Sequence, residues 1–131
     1  MKFPTNILYI GDIVALAVLT IFGFASHGEA DLALLPRMAA LFGPLVIIWI
    51  LVATSLGLFR PAVATAPKQL WRPGLTALIV APLAAVLRGV ILRSPVIPIF
   101  VVVLTVITAL GMTLWRALVY ALFRSQSADR Q

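Results

Sequence analysis

The sequence predicts an all-α protein: a four-helix transmembrane bundle with both termini cytoplasmic. Three observations carry this. Apolar residues make up 63% of the 131-residue chain, and only 11% are charged, where a soluble domain carries about a quarter charged residues. Those apolar residues gather into four long stretches, residues 7–25, 38–59, 74–92 and 96–123. At 1.5 Å rise per residue, about 20 helical residues cross a hydrocarbon layer of about 30 Å, so each stretch is long enough to span.

The first stretch resembles a leader in part. Lys2 precedes it, and Gly28-Glu29-Ala30 offers small residues at cleavage spacing. It is read instead as a membrane helix, because Asp12 interrupts the run and the run is longer than the apolar core of a signal peptide. In the second stretch Pro36 stands at the start, where a missing N–H costs nothing, while Pro44 lies inside and predicts a kink. The third repeats the pattern with Pro73 and Pro82. Pro95 and Pro98 mark a tight turn and the opening of the fourth. The segment 60–73 reads as an ordinary basic, Pro/Ala-rich loop, and 125–131 as a polar, flexible tail. Four crossings leave no room for a second domain, so residues 1–131 form one.

The orientation follows from charge. The net charge is +6. With an inside N-terminus, Lys2, Arg60, Lys68, Arg72, Arg116, Arg124 and Arg130 fall inside, and Arg37, Arg88 and Arg93 outside. Seven against three is the bias of the positive-inside rule. It places the chain as a multi-pass membrane protein with both termini inside. The basic residues form no stripe and no nucleic-acid motif accompanies them, so nucleic acid is not an expected partner. Trp71 and Trp115 stand at the inner helix ends, where an aromatic belt would hold them.

Small residues indicate packing faces. Ala77, Ala81, Ala85 and Gly89 recur every four residues in the third stretch, the spacing that lets another helix approach closely. Gly11 with Ala15, and Ala39 with Gly43, repeat that spacing once each. Such a stripe can serve a helix of this chain or of another.

Few polar groups interrupt the apolar stretches. Asp12 lies inside the first, where a carboxylate near the bilayer centre costs about 3 kcal/mol. It shares a helical face with Leu16, Leu19, Gly23 and Ser26, so that face turns inward. Arg116, Arg72 and Lys68 are its candidate partners on the same side. Three roles stay open for Asp12: a buried ion pair or cap, a proton or cation site, and an interfacial carboxylate. At the other side Ser26, His27 and Glu29 sit beside Arg88, either as an outer polar cluster or as a solvated loop beside a snorkelling arginine. His27 is the only histidine. It is a capping or surface residue, or an axial ligand of a haem or tetrapyrrole pigment. A protein zinc site lacks ligands, with no cysteine in the chain.

Catalytic motifs are missing. There is no metalloprotease helix, phosphate loop or nucleophile elbow, and Ser26-His27 are sequence neighbours rather than a nucleophile–base pair. The chain is therefore expected not to be an enzyme.

Asp12, Gly23, the run Ser26-His27-Gly28-Glu29, Pro36, Trp49 and Leu87-Arg88-Gly89 together resemble a family of small four-helix prokaryotic integral membrane proteins catalogued as a domain of unknown function. The resemblance covers nearly the whole chain. It implies a four-helix membrane domain and no activity. The expected role is a non-catalytic accessory or stabilising subunit of a larger membrane complex, respiratory or photosynthetic hosts included. Its expected partners are membrane lipids and other integral subunits or its own copies. A small oligomeric transporter or channel is the alternative, and pigment or haem binding through His27 a weaker one.

Overall fold

The computed structural model describes residues 5–26, 35–64 and 66–129. Four long helices cross the molecule: α1 (Thr5–Ser26), α2 (Leu35–Ser55), α4 (Trp71–Leu92) and α5 (Pro98–Asp129), with the single turn α3 (Pro61–Ala64) between α2 and α4. All four are long and apolar enough to span a bilayer. Helix is what such sequences must form there, because a lipid-surrounded backbone has to satisfy its own N–H and C=O groups. Hydroxyls obey the same rule. Thr20, Ser55, Thr76 and Thr105 each donate to the carbonyl four residues back, at 2.7–2.9 Å.

The helices close a ring. α4 packs against α2 and α5, and α1 packs against the same two. The core runs through Leu8 and Leu16 of α1, Leu41, Leu45 and Trp49 of α2, Ala77, Val80 and Ala84 of α4, and Met112 and Val119 of α5. The outward faces remain apolar: Ile10, Val14, Val18 and Ile21 on α1, and Val106, Leu110, Leu114 and Leu118 on α5. This is the inside-out economy of a membrane bundle.

Small residues set the close approaches. Ala77, Ala81, Ala85 and Gly89 are all buried, so the stripe on α4 is used within the chain. A Cβ on Gly11 would lie 2.1 Å from Cζ2 of Trp115, and one on Gly111 would meet Leu19 at 2.6 Å. These two glycines bring α1 and α5 together. The α2 pair behaves differently from expectation. Ala39 is exposed, and a Cβ on Gly43 would meet nothing within 4 Å. That spacing faces away from any described neighbour, so it is not used within the chain.

The helix ends also depart from the sequence reading. α2 stops at Ser55, not at 59, because Gly57 takes φ +76°. Leu58 N–H then donates to Ala53 O and Gly57 N–H to Thr54 O, the Schellman pattern that ends a helix. Arg93 (φ 52°) ends α4 in the same way, with Ser94 bonding back to Gly89 and Arg93 to Val90. The segment 60–73 is not a plain loop, since it holds α3 and a 3-10 turn at Pro67–Gln69. Helical geometry in α5 continues to Asp129, past the point where a tail was expected. Pro44 and Pro82 lie inside α2 and α4 as anticipated.

Candidate functional site

One carboxylate organises the end of the bundle that carries the start of α1 and the close of α5. Asp12 is 1% exposed. A carboxylate offers about four lone-pair sites, and here four N–H donors reach it. Trp49 Nε1 donates to Oδ2 at 2.9 Å, and Trp115 Nε1 to Oδ1 at 2.9 Å. Arg116 takes both oxygens, through Nε to Oδ1 at 3.0 Å and through Nη2 to Oδ2 at 2.8 Å. The fork–fork ion pair is the strongest arrangement an arginine and a carboxylate can adopt. It ties α1, α2 and α5 at one point.

Arg116 is itself 4% exposed. Its Nη1 donates to Leu58 O at 2.6 Å, and its guanidinium lies 5.4 Å from the Phe59 ring centroid. Tyr9 stacks on that same ring, with centroids 3.9 Å apart. Arg72 reaches the turn from α4, donating from Nη1 to Leu56 O and from Nε to Gln69 Oε1 at 2.6 Å. Two arginines thus meet carbonyls just past the C-terminus of α2, where the helix dipole favours positive charge. A sharp turn is needed to present Leu56 O and Leu58 O to different arginines, and Gly57 supplies it.

Of the three partners anticipated for Asp12, Arg116 is the one in contact. Arg72 caps the α2 turn instead, and Lys68 is exposed. The surprise is the tryptophans. Trp71 is largely exposed, as a belt residue should be, but Trp115 turns inward to Asp12 and is not a belt residue. Its neighbour Arg116, one of the seven inner basic residues, is buried and paired, which leaves six basic residues against three with the same sign of bias. A signal for the indoles was present: one arginine fills two of a carboxylate's four sites, so a buried Asp12 demanded further donors at its depth.

Arg88 lies at the opposite end of the bundle, four residues before α4 ends. Its guanidinium sits 5.0 Å from the Phe100 ring centroid. It lines a cleft of about 290 Å³ with Leu19, Thr20, Gly23, Phe100 and Leu104 among others. Asp12 and Arg88 are therefore not brought together. Ser26 closes α1, but its side chain, His27 and Glu29 lie outside the described residues, so the expected cluster with Arg88 and the His27 ligand reading do too. Among the described residues no group of three or more His, Cys, Asp or Glu side chains could hold a metal ion.

A family of proteins of unknown function, DUF3054, matches residues 9–119. The chain belongs to this family. The match takes in Asp12, Trp49, Trp115 and Arg116 as well as Arg88, so both ends of the bundle fall within the family domain. No curated protein and no solved structure matches the chain.

Proposed function

We propose that this integral membrane protein is a non-catalytic, accessory subunit that packs beside larger membrane proteins or its own copies and steadies the assembly. The observation that carries the reading is the Asp12 node. Asp12 is the one carboxylate described within the spans, and its acceptor sites are taken up by Trp49, Trp115 and Arg116. A carboxylate so occupied holds helices together. It has no lone pair left for a passing cation or for general-base work, which weakens the transporter reading. The continuous apolar faces of α1 and α5 suit lateral contact with lipid or with another membrane protein.

The charge bias supports cytoplasmic termini, and the resemblance to small prokaryotic membrane proteins supports a bacterial or archaeal cell membrane. The test is solubilisation in mild detergent at native abundance, followed by mass analysis. A defined complex with another integral protein, or a defined homo-oligomer, is expected. A clean monomer that carries no partner refutes the accessory role.

A further inference from the structure

We propose that the cleft at the Arg88 end is a binding site for one anionic phospholipid, with an acyl chain between α1 and α5 and the phosphate on Arg88 and Arg37. The proposal rests on the chain lying in a bilayer and is independent of the accessory role.

Gly11 against Trp115, and Gly111 against Leu19, hold α1 and α5 together toward the Asp12 end. The cleft lies on the other side of Leu19. The walls are apolar on both sides, Leu19 and Gly23 from α1 and Phe100, Leu104 and Ile107 from α5. On the α1 wall a Cβ at Gly23 would meet nothing within 4 Å, so the space there is real.

Charge and depth specify the occupant. Arg88 closes one end of the cleft, and it also lines an adjoining hollow with Arg37, Ser94 and Pro95. Four residues separate Arg88 from the end of α4, about 6 Å along the helix, and Ile107 lies nine residues into α5, about 14 Å along it. Measured from the helix ends at this side, the cleft runs about 8 Å from Arg88 toward the middle of the bundle, the direction an acyl chain would take. Arg88 lines the cleft, Arg37 lines the hollow beside it, and a guanidinium has five N–H donors in a fork that matches phosphate oxygens, enough to hold a phosphate beside another partner. Basic pockets between membrane helices recognise acidic headgroups through this chemistry. A soluble anion would use the arginines but leave the apolar walls empty.

The experiment uses the full chain in dodecylmaltoside after delipidation. Native mass spectrometry reads retention of phosphatidylglycerol against phosphatidylcholine with identical chains, and inorganic phosphate is added in a separate arm. The parent protein is expected to keep one phosphatidylglycerol per chain, preferred by about tenfold. Gly23→Leu projects into the cleft from a position where a Cβ meets nothing within 4 Å and should lower retention of both lipids by about tenfold, with an unchanged circular dichroism spectrum. Arg88→Gln should bring the preference between lipids close to one. If Gly23→Leu does not fold, Val103→Phe narrows the cleft from α5 and makes the same test. Equal retention of the two lipids by the parent overturns the proposal. So does a folded cleft-filling variant that holds phosphatidylglycerol as the parent does. Displacement of the lipid by millimolar inorganic phosphate assigns the arginines to a soluble anion and overturns it as well.

Discussion

Removing either partner of the Asp12–Arg116 pair should destabilise the bundle, and removing both should cost less than the sum. In Asp12→Asn the amide carbonyl still accepts, but its NH2 faces two N–H donors that had a carboxylate oxygen before. Arg116 stays buried, now opposite a neutral side chain. Breaking a buried pair from one side costs about 3–5 kcal/mol. Arg116→Met leaves Asp12 with the two indoles alone, a charge held by neutral donors, and should cost a similar amount. The double variant Asp12→Asn/Arg116→Met has no buried charge. Its remaining losses are the weakened indole bonds, at about 1–3 kcal/mol for each group left unmet, and the freed Leu58 carbonyl. The coupling between the two sites should therefore reach about 2–3 kcal/mol, the upper part of the range for residues in one network. Equilibrium unfolding in mixed dodecylmaltoside–dodecyl sulfate micelles, followed by circular dichroism, gives the four free energies. Additivity within about 0.5 kcal/mol would refute the idea that these residues act as one unit.

Other expectations follow from single atoms. Gly11→Ala puts a methyl 2.1 Å from the Trp115 ring, so it should expel the indole and cost about 2–3 kcal/mol in the same assay. Gly43→Ala is the same chemical change in open space and should be neutral or stabilising by up to about 1 kcal/mol; equal effects of the two would contradict the packing described. Gly57→Ala forces an alanine to φ +76° and should cost about 1–2 kcal/mol in the unfolding midpoint, with no cost expected if the α2 turn can re-form elsewhere. The chain has no cysteine, which makes labelling simple. Under the proposed orientation an impermeant maleimide added to intact cells should modify Ser94→Cys and spare Ser125→Cys, and the reverse pattern would invert the topology.

The four spans were legible because lipid imposes a long apolar run on any crossing helix, and no tertiary detail can disguise it. The inward face of α1 was legible for a related reason, since one carboxylate amid apolar residues has to face protein. The choice of Arg116 over Arg72 and Lys68 was not legible, because it depends on where the α2 turn leaves its carbonyls. Arg72 bonds Leu56 O and Gln69 instead, which leaves Asp12 to Arg116. Trp115 misled because a tryptophan near the end of an apolar run fits an aromatic belt as well as it fits a buried donor. The end of α2 was readable in retrospect: Gly57 is the residue type that ends helices in the left-handed conformation, but the apolar Leu58 and Phe59 after it extended the pattern. The partner of the α4 stripe could not be read at all, since small residues welcome any helix equally.

The most direct test of the Asp12 node is the indole N–H region of the 15N spectrum of the protein in micelles. The chain has three tryptophans, so three indole resonances are expected. Those of Trp49 and Trp115 should be protected from exchange and should both move when Asp12 is replaced by Asn, while that of Trp71 exchanges freely and stays in place. Three indoles that exchange alike, or a Trp49 or Trp115 signal indifferent to Asp12, would contradict the account.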